Sequence, residues 1–558
     1  VGSEMCIRDS YNSTQSDIVN GVGGNQASIT NNRSLQILWS NILNYNTIFN
    51  KMHSLNVMLG QEAQSYEYFQ NVATIDGISD DYYQWYNMGA GSTLKAPSSN
   101  YTGDKMLSYF ARINYSFKDR YLVTVTGRFD GSSKFGEDNR FAFFPSAALG
   151  WRASEEDFLK GNKVISNLKP RVSYGFTGNS GIPTYGSMAN LSTSGMAYPF
   201  GGTRENGIGV GSLANPLLRW EKTGQFNVGL DLGFFNERIS LSADYYIKHT
   251  TDMLLNAPVP TTSGFRSIST NIGNMRNSGF EFTLNTQNIQ TKNFSWSSML
   301  NFSSLKNKIT ALSQGDADII MAPNNLTILR VGESVGSFFG YIRDGVWGEN
   351  EAEQAAIYGK LPGDAKLRDV NNDKQINESD RVILGKGIPD FYGTFTNTFK
   401  YKDFDLVIEL QYSCGSKIYW DGLGTCAMRQ GIANSLSMVL DTWTPENQGA
   451  TLEQIRPSNA YYNSLKDDAR LYNGSFIRGK NISLGYNLPS DICKKLHLKA
   501  LRVTLSAQNI FVISQYPGFD PETTVYNTTT QNEAFAQNIE TFGYPKPRTF
   551  SFGANITF

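Results

Sequence analysis

FTNTFKYKDFDLVIELQY, residues 395–412, reads as two strands that alternate in polarity around a tight turn. After the turn at Lys402 and Asp403, apolar side chains recur at every second position from Phe404 to Tyr412, with mostly polar side chains between them. A period of two places successive side chains on opposite faces of an extended strand. The stretch therefore predicts an antiparallel hairpin with one apolar face and one polar face.

The same alternation recurs along the whole chain. It is seen in YLVTVTGRFD (121–130), FNVGLDLGFF (226–235), ISLSADYY (239–246), FSWSSMLNF (294–302), LRVTLSAQN (501–509) and the terminal RTFSFGANITF (548–558). No segment shows a long helical period. The pattern predicts an all-β protein of about fifteen strands, near 35–48, 53–70, 106–117, 120–131, 143–153, 168–178, 223–234, 238–250, 276–288, 293–304, 391–401, 404–414, 474–488, 500–513 and 548–558.

The connections between these strands alternate in length. FKDR (117–120), NER (236–238) and KD (402–403) are tight turns, whereas the other connections are long and rich in Gly and Asn. The long connections are 71–105, 179–222, 251–275, 305–390, 415–473 and 514–547. Short periplasmic turns and long extracellular loops are typical of antiparallel transmembrane β-barrels. The apolar segment SFFGYIRDGVW (337–347) then belongs to a loop rather than to the barrel wall.

The composition agrees with a barrel and excludes several other classes. Charged residues make up 18% of the chain, below the roughly 25% of soluble domains. The net charge of −1 indicates no nucleic-acid partner. Only three scattered histidines occur, at 53, 249 and 497, which argues against a histidine-based catalytic or metal site. A soluble β-sandwich also alternates, but the polar faces here carry Arg, Asp, Asn and Gln, as a water-filled lumen would.

Several stretches resemble one family, the SusC/RagA-type TonB-dependent outer-membrane transporters of Bacteroidetes. They are LSYFARINYSFKDRYLVTVTGRFDGSSKFGEDNRFAFFPSAALGWR (107–152), VGESVGSFFGYIRDGVW (331–347), LPGDAKLRDVNNDKQINESDRVILG (361–385), DTWTPENQ (441–448), YNGSFIRGKNISLGYNLP (472–489) and the terminal strand. The resemblance extends from about residue 30 to the end of the chain. It implies that residues 11–558 form the C-terminal part of a receptor β-barrel.

The resemblance also implies a 22-stranded barrel with an N-terminal plug. About fifteen strands would leave roughly seven strands and the plug outside this chain. The odd number of strands points the same way, because bacterial barrels normally have an even number. The first ten residues, VGSEMCIRDS, have neither the basic nor the apolar region of a signal peptide. We interpret residues 1–10 as uninformative about the fold, and as a non-native leader in origin.

Residues 369–380, DVNNDKQINESD, place oxygen donors at the spacing of an EF-hand-like calcium loop. The ligands that this spacing assigns are Asp369, Asn371, Asp373, Gln375 through its backbone carbonyl, Asn377 and Asp380. Two positions depart from the pattern, because Lys374 replaces the turn glycine and Asp380 replaces the bidentate glutamate. The sequence therefore predicts a structural calcium site in an extracellular loop, with a metal-free polar turn as the alternative.

Other motifs have simpler explanations than a reaction. Gly332-Glu-Ser334-Val-Gly336 matches the nucleophile elbow of hydrolases, but no helix pattern follows it and histidine partners are lacking. We therefore expect no enzyme activity and no required cofactor. The charged residues 128–140 form either a substrate contact or a hydrated rim. Loop aromatics could stack on sugars or form an interfacial girdle; they are Tyr461, Tyr462, Tyr516, Phe519 and Tyr526.

The family resemblance implies energised import of a nutrient across the outer membrane, with oligosaccharides ahead of oligopeptides as substrate. Its implied partners are a SusD-like surface lipoprotein and the TonB–ExbB–ExbD machine, which would act through the plug. A passive porin or surface-binding barrel and a soluble secreted carbohydrate-binding protein are the alternatives. In the last strand, the apolar face predicts contact with membrane lipid. Phe558 resembles the terminal aromatic that barrels present to the outer-membrane assembly machinery.

Overall fold

The computed structural model describes residues 2–11, 26–78, 80–193, 197–321, 325–424, 435–456, 465–523, 535, 537–541 and 543–558. The strands up to residue 234 are β1 Gly2–Tyr11, β2 Gln26–Phe49, β3 His53–Ile78, β4 Gly91–Leu94, β5 Ser98–Phe117, β6 Tyr121–Ser132, β7 Phe141–Trp151, β8 Ile165–Asn179, β9 Leu191–Ser192, β10 Ala197–Phe200, β11 Thr203–Asn206, β12 Gly209–Val210 and β13 Glu221–Phe234.

The later strands are β14 Ile239–Thr251, β15 Leu254–Pro258, β16 Ser267–Asn271, β17 Asn274–Gln290, β18 Phe294–Ser304, β19 Lys306–Ala311, β20 Ile319–Met321, β21 Thr327–Leu329, β22 Ser337–Gly340, β23 Arg343–Val346, β24 Ala365–Leu367, β25 Val382–Lys386, β26 Phe391–Tyr401, β27 Phe404–Cys414, β28 Lys417–Trp420, β29 Leu471–Asn473, β30 Phe476–Asn487, β31 Ala500–Gln508, β32 Val512–Ser514, β33 Ile539–Glu540 and β34 Thr549–Thr557.

Helices are few and short. The α-helices are α1 Ser313–Asp316, α2 Ala352–Ile357 and α3 Ser490–Lys495. Single 3₁₀ turns lie at Met88–Ala90, Glu137–Asn139, Ala153–Glu155, Thr261–Ser263, Glu349–Glu351, Glu378–Asp380, Ser437–Asp441 and Asp468–Arg470. Within the described ranges, no helix combines the length and the apolar character needed to cross a membrane. The prediction of an all-β protein is confirmed, and each of the fifteen predicted strands overlaps an observed one.

The chain divides into two compact units. The first comprises Val1–Ala148, Gly175–Lys222 and Asn256–Asn271, and the second comprises Leu149–Tyr174, Thr223–Leu255 and Ile272–Phe558. In the first unit, β1, β2, β3, β5 and β6 pair in succession, and every pair is antiparallel. In the second unit, β14, β17, β18, β26, β27, β30, β31 and β34 pair in succession, again antiparallel throughout.

The tight turns have the backbone that hairpins favour. Asn50 and Lys51, between β2 and β3, have φ angles of 53° and 55°. Lys118 and Asp119, between β5 and β6, have φ angles of 51° and 54°. Two successive residues with positive φ are the signature of type I′ turns, whose twist matches that of the flanking strands. These turns fix the strand registers that place the apolar residues on one face.

The two faces of the sheet in the first unit differ in chemistry. One face exposes apolar side chains from neighbouring strands, including Leu59, Tyr109, Ile113, Val125 and Phe129. On the other face, polar side chains bond across strands: Asn114 donates to Asn56 at 3.1 Å and accepts from Thr124 at 2.9 Å. This division is what a wall between lipid and a hydrated lumen requires.

The second unit shows the same division of faces. Arg171 Nη2 lies 2.9 Å from Asp231 Oδ1 and 2.9 Å from Asp244 Oδ2, so one guanidinium joins β8, β13 and β14. Farther along, Asn397 accepts hydrogen bonds from Trp296 at 2.9 Å and Ser298 at 2.7 Å. These cross-strand hydrogen bonds and ion pairs satisfy the polar side chains, which would be costly to place on the apolar face.

Strands β2, β3 and β5 are longer than the alternation predicts. β3 continues to Ile78 and β5 begins at Ser98, so the predicted loop at 71–105 is too long and contains only residues 79–97. Polar cross-strand contacts hold the extension together: Gln26 donates to Asp76 at 2.8 Å, and Gln70 donates to Asn32 at 3.0 Å. Apolar residues in the extension are few, and Ile75 and Ile78 are buried together with Ala27, so the alternation of the wall does not continue there. Residues Gly2–Tyr11, left uninterpreted from the sequence, pair with Ala27–Gln36 of β2.

Three of the long loops in the second unit fold together. Strands β20, β21, β22 and β25 form a four-stranded sheet, β23 pairs with β24, and β28 pairs with both β29 and β33. Leu326, Phe338, Tyr419 and Ile539 share one buried apolar core, although they come from three different connections. We call the described residues of 306–388, 415–475 and 514–547 the loop assembly. The segment 337–347 lies within it, as predicted.

Candidate functional site

The predicted calcium loop is folded by the side chains assigned as ligands. Asp369 accepts backbone N–H bonds from Asp373 at 3.2 Å and Lys374 at 2.8 Å. Asp380 is fully buried and accepts from Val370 and Asn377, both at 2.9 Å. These bonds close both ends of the loop. A carboxylate oxygen that accepts one hydrogen bond keeps a lone pair for a cation.

The backbone accommodates the first departure from the calcium pattern. Lys374, at the position of the turn glycine, has φ 64°, and Asn372 has φ 60°. The sharp turn is therefore made without glycine, at the modest cost of a non-glycine residue in the left-handed region. In the part of the chain that the structure describes, no three His, Cys, Asp or Glu side chains are grouped to hold a metal ion. The calcium site stays a prediction.

Ser334 of the G-x-S-x-G motif has a structural role in a turn. The side chain is buried and donates to the Asn307 side chain at 3.3 Å. Its carbonyl accepts from the Ser337 hydroxyl at 2.8 Å. The flanking Gly332 and Gly336 have φ angles of 98° and 68°, which suit glycine. The motif thus holds the turn before β22 against β19 within the loop assembly.

The charged cluster at 128–140 is only partly brought together. Arg128 Nε donates to both oxygens of Asp130, at 2.7 and 2.9 Å, and Arg128 Nη2 donates to Ser108 at 3.0 Å. Arg140, by contrast, is exposed, and its carbonyl accepts from the Trp220 indole at 2.9 Å. The Arg128–Asp130 pair matches a hydrated rim network better than a free substrate site.

The loop aromatics named from the sequence have different environments. Tyr516 is buried and packs edge-on against Trp420 and Tyr472, with ring centroids 5.8 and 5.9 Å apart. Burial, together with the nearby Glu540 carboxylate, raises the pKa of the Tyr516 hydroxyl. Phe519 is exposed. Tyr461, Tyr462 and Tyr526 lie outside the described residues. Tyr516 therefore stabilises the loop assembly and offers no stacking surface.

An exposed aromatic loop was missed in the sequence. Residues 82–86, YYQWY, lie between β3 and β4, and the side chains of Tyr82 and Tyr86 are 83% and 74% exposed. Trp85 anchors the loop by packing against the buried cluster of Ala27, Ile75 and Ile78. The Trp85 and Tyr86 ring centroids are 4.6 Å apart. The sequence signal that could have revealed this loop is the presence of four aromatic residues within five positions.

A buried ionic cluster connects three segments of the loop assembly. Arg343 Nη2 lies 2.7 Å from Glu453 Oε1, and Arg343 Nε donates to Asp467 at 2.7 Å. The three side chains are at most 5% exposed. The Arg343 backbone N–H also donates to Asp468 at 2.9 Å. Residues far apart in sequence are therefore held by one guanidinium in a dry environment.

Burial raises the pKa of Glu453 to about 7, with Asp467 adding to the rise and Arg343 opposing it. Because the folded state binds this proton more tightly than the unfolded chain, its stabilising effect is complete below the usual glutamate pKa. The effect is lost as the pH rises through about 7. We predict that protease resistance of the loop assembly falls between about pH 4.5 and 7, and that Glu453→Gln flattens this dependence. A Glu349→Gln variant, altered at an exposed glutamate, should retain the wild-type profile.

The terminal strand is exposed along its whole length. β34 pairs antiparallel with β31, from Thr549 opposite Gln508 to Thr557 opposite Ala500. The apolar side chains Phe550, Phe552, Ile556 and Phe558 are all exposed. A row of exposed aromatic and aliphatic groups is costly in water and favourable in lipid. Contact of this face with membrane lipid stays a prediction.

Comparison with known proteins identifies the architecture. Residues 7–510 match the family model described as "TonB dependent receptor-like, beta-barrel". The chain belongs to this receptor family. It is therefore a barrel protein of the bacterial outer membrane, and its family is one of receptors rather than enzymes. The predictions of a transmembrane β-barrel and of outer-membrane localisation are confirmed.

Individual members of the TonB-dependent receptor family resemble the chain over most of its length. TonB-dependent receptor P3 of Formosa agariphila is 36% identical over 550 residues, which are 96% of this chain and 54% of that protein. TonB-dependent receptor SusC of Bacteroides thetaiotaomicron is 33% identical over 481 residues, covering 83% and 45%. This chain thus spans about half the length of these receptors.

A solved structure agrees with the sequence relationship. The structure of the RagAB peptide transporter superposes with a TM-score of 0.80 at 26% identity, and the match covers 96% of this chain and 56% of that chain. The same transporter in its "open-open" state gives a TM-score of 0.78. The SusC/RagA resemblance seen in the sequence is confirmed.

Proposed function

We propose that the complete receptor imports a nutrient across the outer membrane with energy delivered by TonB–ExbB–ExbD. Membership in the TonB-dependent receptor family supports energised import over a passive porin, and it argues against a soluble secreted carbohydrate-binding protein. The similarity to SusC and to the RagAB structures supports a SusD-like surface lipoprotein as the partner. The force from TonB would act through a plug, which the resemblance places before the barrel.

The proposed substrate is an oligosaccharide, and the aromatic loop at 82–86 supports this choice. Exposed Tyr86 packs on Trp85, whose own ring lies against a buried cluster, and exposed Tyr82 packs edge-on against Tyr83. Aromatic rings combine an apolar face with a polar tip. They can stack on the C–H face of a sugar ring while the tyrosine hydroxyls bond to its hydroxyl groups. Preorganised rings lose little conformational entropy when they bind.

An oligopeptide is the second proposed substrate. RagAB is described as a peptide transporter, and its structure matches this chain over 96% of the residues. Aromatic loops can also pack against apolar peptide side chains. The two substrates therefore call for a direct comparison on the same receptor.

We predict that Tyr82→Ala combined with Tyr86→Ala weakens oligosaccharide binding at least about tenfold, since losing two stacked rings removes more than the 1.4 kcal/mol that a tenfold change represents. The measurement is calorimetric titration of the complete receptor with its lipoprotein partner, using matched panels of oligosaccharides and oligopeptides. Tyr544→Ala removes another exposed tyrosine and should leave binding unchanged. Wild-type glycan affinity in the double variant would exclude this loop, and saturable binding of peptides alone would replace the glycan proposal.

We also propose that Phe558 belongs to the signal read by the outer-membrane barrel assembly machinery. Its ring is 78% exposed and lies just beyond the end of β34. In the complete protein, Phe558→Asp should lower outer-membrane levels several-fold, because a carboxylate replaces the apolar group and is costly at a lipid-facing site. Quantitative immunoblotting of membrane fractions is the measurement. Thr557→Asp adds the same charge on the polar face and should have a much smaller effect; equal levels for wild type and Phe558→Asp would contradict the role.

A further inference from the structure

The apolar face of the first unit contains a groove of about 510 Å³. We call it the outer groove. A row of paired residues crosses it: Trp39 lies opposite Ala63, Ala63 opposite Leu107, and Leu107 opposite Gly131. Phe141 completes the row on the other side. Ala63, Leu107 and Gly131 therefore lie between two large aromatic side chains and form the floor of the groove.

Gly131 is required for the shape of this groove. A Cβ atom at Gly131 would lie 2.2 Å from the Phe141 ring, so any larger residue would displace that wall. The ring is also held from below, since Phe141 stacks on Phe129 with centroids 5.1 Å apart. The groove is thus formed by packed side chains rather than by a gap between mobile ones.

The strand register places the groove near the extracellular membrane interface. Phe117 ends β5 at the tight turn, and Leu107 lies ten residues away along the same strand. Ten residues extend about 33 Å along a strand, and a tilt of about 45° reduces this to roughly 23 Å along the membrane normal. The apolar band of such barrels is about 25 Å tall. The groove therefore lies in the outer leaflet, with its upper end at the headgroup level.

Two cations lie at this upper end. Lys105 and Arg140 line the groove, and both residues are exposed. Among the described residues, neither side chain has an acidic partner within ion-pair distance. Exposed, uncompensated cations beside a lipid-facing groove favour a ligand that carries negative charge just above an acyl chain.

We propose that the outer groove binds one outer-leaflet lipid, with an acyl chain between Trp39 and Phe141 and a phosphate on Lys105 and Arg140. Apolar burial alone gives little selectivity here, because the surrounding lipid tails are equally apolar. Selection comes from the charge pair and from the fit of the chain to the floor between Trp39 and Phe141. A phosphorylated glycolipid of the lipid A class has this chemistry, with acyl chains attached to a phosphate-bearing headgroup.

The test is native mass spectrometry of the complete receptor, purified in detergent and titrated with bisphosphorylated lipid A or with the same lipid after phosphatase treatment. We expect one retained lipid A molecule and at least fivefold weaker retention of the phosphate-free form. Lys105→Gln with Arg140→Gln should reduce retention of lipid A at least fivefold. Lys306→Gln removes an exposed cation beyond the outer end of β18 in the other unit and should retain lipid A normally.

A second pair of variants tests the groove itself. Ala63→Phe on β3 fills the floor of the groove and should reduce retention of lipid A. Ala111→Phe on β5 adds the same ring to the same face of the sheet, outside the lining of the groove, and should retain lipid A normally. Heat-modifiable gel mobility verifies folding of each variant. If Ala63→Phe fails to fold, the glutamine variants still decide the result. Equal retention of both lipid forms, or wild-type retention in the glutamine double variant, would overturn the proposal.

Discussion

Replacing Arg343 with alanine should release the loop assembly from its folded state while the barrel wall stays intact. The substitution leaves Asp467, which is fully buried, and Glu453, which is nearly so, without the guanidinium that lies between them. Removing one partner from a buried ion pair typically costs about 3–5 kcal/mol, because an uncompensated charge stays in a dry environment. The cost falls on contacts that join separate loops, so the expected consequence is local unfolding.

Arg368→Ala is the matched control for this change. Arg368, directly after β24, pairs with Asp344 on β23, but its side chain is 52% exposed. Exposed pairs contribute only about 0–1 kcal/mol. Limited proteolysis and hydrogen exchange of the intact protein should show faster cleavage and exchange at 343–367, 441–456 and 465–473 for Arg343→Ala alone. Similar protection in both variants would mean that apolar packing, not the ionic cluster, holds the loops.

The sequence predicts the strands of the barrel wall, but it does not predict the contacts that hold the loop assembly together. Alternating polarity predicts the wall strands well, because each strand faces lipid on one side and water on the other for about ten residues. The predicted ranges 391–401 and 404–414 coincide with β26 and β27. The predicted range 53–70 is too short for β3, because the alternation of the wall ends there, while side-chain amides and the buried pair Ile75 and Ile78 hold the rest of the strand.

The loop assembly could not be predicted from local patterns. Its core joins Leu326, Tyr419 and Ile539, which are separated by about a hundred residues each, and no short-range period records such contacts. The Asx-rich turn at 369–380 was recognised, because side-chain oxygens bonding to nearby N–H groups are a local property. Tyr516 was assigned to a surface, since an aromatic residue in a polar loop gives no sign of the partners that bury it.

Gly393→Ala should destabilise the barrel wall and reduce the amount of folded protein. Gly393 lies opposite Tyr412 on β27, and Phe302 on β18 lies opposite it on the other side. A Cβ atom at this position would lie 2.0 Å from the Asn301 carbonyl oxygen and 2.5 Å from the Tyr412 hydroxyl. The Tyr412 hydroxyl donates to that same carbonyl at 2.8 Å, so the ring lies across the glycine.

An aromatic ring over a strand glycine covers backbone that would otherwise lack a packing partner. Because the nearest atom belongs to the backbone, the added methyl group cannot be accommodated by a side-chain rotation. Overpacking of this kind costs about 1–3 kcal/mol, and the upper end is expected here. Gly279, opposite Tyr246, repeats the arrangement, with the Ser304 carbonyl oxygen 2.2 Å from a built Cβ. The close approach is therefore a recurring feature of this wall.

Gly553→Ala provides the control, since the nearest atom to a Cβ at Gly553 is the Thr504 carbonyl oxygen at 4.0 Å. Heat-modifiable gel mobility and urea unfolding of the complete receptor should show lower stability for Gly393→Ala and near-wild-type stability for Gly553→Ala. Adding Tyr412→Phe to Gly393→Ala removes the hydroxyl but leaves the clash with the Asn301 carbonyl, so stability should recover only in part. Full recovery would assign the clash to the tyrosine hydroxyl alone. Unchanged stability of Gly393→Ala would contradict the prediction, because it would mean that β18 and β26 can move apart enough to admit the methyl group and still stay paired.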